Sequence, residues 1–241
     1  IQVGAAIADM EITQNVIRRY ALEQVYGHVG GIQVNPGSVG RIHRNLIESD
    51  PSVPDNAIQF AGGVDGPTYF YNNLIIGSST PFVGLGRMGS ADAEVLFLNN
   101  TTLSRTDSGK TLTLYCIEDD VQPFTFKNNI FADYAFMGSY IYTDSAAQAW
   151  TYLVGNEHSS NCPINGVVHE NGVDSDQVIE GNLYAQDAGD VGFVDLEGGD
   201  YRLAPDSPAV GAGENLSDLF TQDFDGEDRG DGAYDMGAFQ D

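Results

Sequence analysis

Arg41 and His43 stand two residues apart, and Tyr69 and Tyr71 repeat that spacing further along. In an extended strand, residues two apart point to the same face. Brought together, these four side chains suit an acidic sugar. Arg41 would neutralise a uronate carboxylate and so acidify the neighbouring C–H. His43, Lys127 or a tyrosine would take that proton, and a tyrosine such as Tyr71 would protonate the leaving oxygen. Tyr69 offers a flat face for the apolar side of a sugar ring, and Arg18 and Arg44 stand close enough in sequence to add positive charge. The plainer alternative is a solvated face whose few cations pair with abundant carboxylates.

Two further stretches carry candidate chemistry. In "DFDGEDRGD", Asp223, Asp225, Asp228 and Asp231 crowd around a glycine turn, with Asp235 beyond. Hard oxygen ligands at that spacing suit a structural calcium ion. The EF-hand loop is absent, because its twelfth position, counted from Asp223, is Tyr234 and not glutamate. The alternative is a structural tail in which one or two of these aspartates hold Arg229. In "GNEHSSNC", Glu157 and His158 form either an acid/base pair or a simple insertion. No P-loop, HExxH, CxxC or dinucleotide fingerprint is present.

What could bring Arg41 beside Tyr69 is an internal repeat. An asparagine recurs as Asn15, Asn45, Asn73, Asn100, Asn129, Asn156 and Asn182, a period of about 27 residues. Three positions before each stands an apolar residue: Ile12, Ile42, Phe70, Phe97, Phe126, Leu153 and Ile179. An apolar pair follows most anchors, with Thr101-Thr102 and Glu157-His158 as departures. Short segments rich in Val, Ile, Phe, Tyr and Thr, bounded by Gly, Asn, Asp and Ser, read as strands and turns. The period is too short for a propeller blade, and the leucine-rich pattern is absent. Parallel strands stacked at about 4.8 Å would place the asparagines in register as a hydrogen-bonded ladder. Asparagine also tolerates the left-handed backbone of a tight bend. The outward column two before the anchors then reads Thr13, His43, Tyr71, Leu98, Lys127, Val154 and Glu180.

These features resemble the right-handed parallel β-helix of the pectate lyase-like superfamily. The ending "GFVDLEGGDYRLAPDSPAVGAG" followed by "DFDGEDRGDGAYDMGAFQ" resembles the C-terminal segment of secreted bacterial β-helix proteins. The resemblance covers nearly the whole chain. It implies an all-β, single-stranded right-handed β-solenoid of about seven or eight turns, extracellular or at the cell surface. Residues 1–185 would form the turns, and 186–241 the last turn and a capping tail of the same domain. It implies recognition of polysaccharide or another extracellular glycan, with β-elimination on a uronate-containing glycan as the enzymatic version. The alternative is a non-catalytic structural or adhesive solenoid, a segment of a larger surface protein or filament. Lyases on this fold commonly use a central Lys/Arg pair and acidic calcium ligands on one face. This sequence departs from that pattern, with Leu98 between Tyr71 and Lys127.

Composition narrows the partners. A net charge of −25 with only ten basic residues repels nucleic acid and anionic lipid. No run of 18 apolar residues offers a membrane-spanning helix. Cys116 and Cys162 permit one disulfide without implying it. "IQV" at 1–3 resembles "IQV" at 32–34, so the chain reads as beginning inside a turn. That leads to the expectation of a piece of a longer protein, or of a partner stacked end to end on the uncapped N-terminal turn.

Overall fold

The computed structural model describes residues 1–4, 6–18, 30–50, 56–60, 64–78, 80–86, 94–105, 110–116, 124–134, 136–143, 164–165, 177–179 and 181–240. Among these the protein is all-β apart from one short 3₁₀ turn, Ala188–Val191. The strands fall into three sheets that the chain visits in rotation. Sheet one holds β1 (Met10–Thr13), β4 (Gly40–His43), β7 (Thr68–Tyr71), β10 (Val95–Leu98), β13 (Phe124–Lys127) and β16 (Ile164–Asn165). Sheet two holds β2 (Val16–Arg18), β5 (Leu46–Glu48), β8 (Leu74–Ile76), β11 (Thr101–Leu103), β14 (Ile130–Ala132), β18 (Asn182–Ala185) and, at its edge, β17 (Gln177–Ile179). Sheet three holds β3 (Gly30–Val34), β6 (Asn56–Phe60), β9 (Thr80–Gly86), β12 (Lys110–Cys116) and β15 (Phe136–Thr143). Each strand from β1 to β13 pairs in parallel with the strand three places on, so three successive strands make one rung. The antiparallel exceptions are β17 on β18 and a small hairpin of β19 (Phe193–Asp195) with β20 (Asp200–Leu203). Gln2 bridges to Gln33, which lays the first residues along β3.

Register explains the core. Ile12, Ile42, Phe70, Phe97 and Phe126 are all buried in one cluster, as their shared offset predicts. Phe70, Phe97 and Phe126 stack at 4.8 and 4.5 Å between neighbouring rings, adding offset-ring attraction to burial.

The anchors form a ladder along the bend between sheets one and two. Asn15 Nδ2 donates to Asn45 Oδ1 at 3.0 Å, Asn45 to Asn73 at 3.0 Å, Asn73 to Asn100 at 2.9 Å and Asn100 to Asn129 at 2.9 Å. Each amide from Asn45 onward also bonds the carbonyl of the apolar residue on the preceding rung, as Asn100 Nδ2 does with Phe70 O at 2.9 Å. The fixed offset between anchor and apolar residue therefore has a polar cause as well as an apolar one.

Two expectations need correction. Asn129 Nδ2 donates straight to Asn182 Oδ1 at 2.8 Å, and β14 pairs directly with β18. Residues 164–165 pair with β13. Ile179 sits in antiparallel β17, so it does not continue the core column of sheet one. The ladder makes a single step from Asn129 to Asn182 where two steps were expected. Asn156, Val154, Glu157, His158, Glu180 and Cys162 lie outside the described residues. Secondly, the left-handed residue is the one before the anchor: Gln14, Arg44, Asn72, Asn99 and Asn128 have φ of 49–56°. The anchors are left free to make ladder bonds.

From Gly213 on, the C-terminal tail runs as a strap along the side of the stack. One arm runs from Gly213 past Asn128 and Asn72 to a tip at Gly226 beside Arg44. The other returns past Asn72 to Asn99, Thr101 and Asn128. The arms bridge to each other at Gly213–Tyr234 and Gln222–Asp228. Leu74, Ile130 and Leu183, on the outer face of sheet two, are buried against Met236, Ala238 and Phe239. Gly237, at φ 86°, has no room for a side chain: a Cβ would lie 2.5 Å from Thr101 Oγ1.

Candidate functional site

Zero-offset pairing sets Arg41 between Glu11 and Tyr69, and His43 between Thr13 and Tyr71, on the outer face of sheet one. The four residues singled out by spacing are thus brought together. The exposed Arg41 guanidinium sits 5.9 Å from the centre of the half-buried Tyr69 ring. His43 stacks on Tyr71 with ring centres 4.5 Å apart and planes 3° from parallel. Tyr71 also stacks on Phe220 of the strap at 4.6 Å. Two rings cannot share one face at these separations, so Tyr71 is sandwiched.

The sandwich is closed to solvent, with His43 only 9% and Tyr71 8% exposed. Both imidazole nitrogens are occupied: Nε2 lies 3.1 Å from Glu11 Oε1 and Nδ1 3.4 Å from Thr13 Oγ1. Burial pushes the His43 pKa down, outweighing the bond to Glu11 that raises it. Burial likewise pushes Tyr71 up, against the lowering effect of Arg41. At neutral pH His43 is an uncharged base with no open ring nitrogen, and Tyr71 is a poor acid.

Arg44 follows His43 directly, while Lys127 and Arg18 lie on other strands. Lys127 is three strands from His43, roughly 14 Å at normal strand spacing, and its Nζ is 2.8 Å from Glu214 Oε2. Arg44 Nε donates to Phe224 O at 3.0 Å and so holds the strap. Arg18 pairs with Glu48 at 2.8 Å, with both side chains substantially exposed. His43, Tyr71 and Arg41 are gathered on one face, but the base and the acid are covered, and Lys127 is remote from them.

The four aspartates also diverge. Asp223 is buried; its Oδ1 accepts from the Gly226 and Glu227 amides at 2.8 and 2.9 Å, and its Oδ2 accepts from Gln240 N at 3.1 Å. Asp228 accepts from Gly230 N at 2.9 Å. Asp225 is exposed at the strap's tip, and Asp231 is exposed on the returning arm. Partial burial, and then the charge of Asp223, push the Asp225 carboxyl up. Among the described residues no three His, Cys, Asp or Glu side chains converge as a metal site. Arg229 is buried and bonds Asn72 Oδ1 at 2.8 Å and Gly237 O at 2.9 Å, and not an aspartate carboxylate. Burial pushes its pKa down to about 10.

Reading the sequence missed the residues that hold the strap. Asn72, Asn99 and Asn128 form a second asparagine column just outside the ladder. Asn72 Nδ2 bonds Gln222 O at 2.6 Å, Asn99 Nδ2 bonds Asp235 O at 2.7 Å, and Asn128 Nδ2 bonds Glu214 O at 2.8 Å. The signal was the doublet Asn-Asn at 72–73, 99–100 and 128–129.

Comparison with protein-family models, with curated proteins and with solved structures finds no match to this chain.

Proposed function

We propose that this chain is a right-handed parallel β-helix of the pectate lyase-like kind, displayed outside the cell, that binds acidic polysaccharide without cleaving it. Support for the fold is the rotation of the chain through three sheets with an asparagine at every shared bend. Support for the ligand class is the exposed Arg41 guanidinium beside the half-buried Tyr69 ring, a cation next to a sugar-stacking surface. What favours binding over cleavage is His43, whose two nitrogens and ring face are already engaged. Calcium enters only as a condition of the assay.

Titration with alginate, polygalacturonate and glycosaminoglycans, with and without calcium, tests the reading. At least one polymer should bind, Arg41→Ala should remove most of that binding, and no ultraviolet-absorbing unsaturated uronate should accumulate. Product formation would make the chain a lyase. No binding to any of them would leave a structural solenoid, a rigid spacer within a larger surface protein.

A further inference from the structure

We infer that Phe220 closes a second, cryptic subsite for an acidic sugar, whose floor is Tyr71 and whose cation is Arg229. The inference rests on the polysaccharide reading above and extends it from the open Arg41–Tyr69 pair to the covered ring on the same face.

Phe220 touches both elements of the subsite. Its ring stacks on Tyr71 at 4.6 Å and lies 5.9 Å from the Arg229 guanidinium carbon. An aromatic ring at stacking distance over a tyrosine fills the place that the apolar face of a pyranose would take. Arg229 is only 3% exposed, and its Nε has no hydrogen-bond partner among the described residues, while both Nη atoms are engaged. A buried, unused N–H on a cation is costly unless something accepts from it. A uronate carboxylate would, and a neutral sugar offers only hydroxyls.

The segment carrying Phe220 is tied to the strap and not to sheet one. Glu214 is pinned by Asn128, whose Oδ1 accepts its amide at 2.9 Å, and Gln222 is pinned by Asn72 at 2.6 Å. Between the pins, Leu216 and Phe220 meet sheet one only through apolar contact with Tyr71, Leu96 and Leu98. The polar bonds of this stretch run to the returning arm: Asn215 Nδ2 to Gly232 O, Tyr234 OH to Phe220 O and Arg229 N to Thr221 O. Ser217, Asp218 and Leu219 face solvent. Displacing the Phe220 ring therefore breaks no hydrogen bond to the sheet.

Phe220→Ala and Phe220→Leu in the full chain test this, titrated with polygalacturonate and with a fully methyl-esterified counterpart. Both variants should bind polygalacturonate about threefold to tenfold more tightly than wild type, the worth of one aromatic stack, with a smaller gain for the neutral polymer. In wild type, saturating polygalacturonate should speed amide hydrogen exchange at 216–221 severalfold and leave the rest of the strap unchanged. Equal binding by variant and wild type, an equal gain for the neutral polymer, or unchanged exchange at 216–221 would each overturn the subsite. Wild-type binding that depends on Arg41 would in those cases leave the broader reading standing. No binding by any form removes both.

Discussion

Asn99 and Asn100 are neighbours in the chain and do opposite work. Asn100 points along the inner ladder and ties one rung to the next. Asn99 takes the left-handed bend, with φ 49°, and reaches out to the strap through Asp235 O and Gly237 O. The same pairing recurs at 72–73 and 128–129. The inner column holds the rungs together, whereas the outer column holds something else against them. Residue type alone does not reveal which role an asparagine has; its place relative to the bend does.

The comparison can be broken by mutation. Asn100→Ala should have the largest effect. It strands Phe70 O and the two Asn73 donors in the interior, and should cost about 4 kcal/mol of global stability. Urea unfolding measures this, and a loss below about 1 kcal/mol would end the claim that the ladder binds rungs. Arg229→Ala should cost about 3 kcal/mol, because Asn72 Oδ1 and Gly237 O lose a buried donor and a cavity remains. The loss should show as faster hydrogen exchange in 213–240, with the ladder amides still protected. Asn99→Gly keeps the bend and removes only the outward bonds. About 1–2 kcal/mol is expected, confined to the strap. A global loss equal to that of Asn100→Ala would erase the distinction.

A smaller effect should appear on acidification. The His43 pKa is lower in the folded chain than the ordinary 6.5, chiefly through burial. The unfolded chain therefore takes up the proton first. The stability that neutral His43 contributes is complete above pH 6.5 and is lost as pH falls from there through its folded value. Denaturation of wild type and His43→Phe across that range should show the slope in wild type alone. Lys127→Ala, which removes one exposed ion pair to Glu214, should change stability by no more than about 0.5 kcal/mol.

Much of this architecture is legible in the sequence because a stacked fold writes the same instruction at every rung. The offset between Asn73 and Phe70 repeats because the Asn73 column bonds the Phe70 column as well as itself. The apolar residues before the anchors are core for the same reason. The long step after Asn129 is illegible by that logic. Asn156 keeps the spacing, but spacing does not say which asparagine comes next in the ladder, and only the direct Asn129–Asn182 bond reveals it. The strap was legible in a different signal. Leu74 and Ile75 are adjacent and both buried, one outward and one inward, and Leu96 and Leu98 occupy outward positions on sheet one. A strand apolar on both faces is covered on both faces. That cover also explains why the Arg41–His43–Tyr69–Tyr71 set was correctly placed yet only partly open. Spacing fixes which side chains are neighbours, while the tail that closes over Tyr71 comes from a hundred and more residues away in the chain.

The ladder also has a sense of direction. Each amide from Asn15 to Asn129 donates toward the later rung, and from Asn45 on each also accepts from the earlier one, so the side-chain dipoles add. The column is a vector along the stack. A rung copied and inserted in the same orientation would extend it. A rung entered backwards would set donor against donor. Where the chain does run backwards, at β17, the strand reads "QVI" and contributes no asparagine. Growth of such a stack by duplication is thus one-way, and reversal of the chain is a natural place for it to stop.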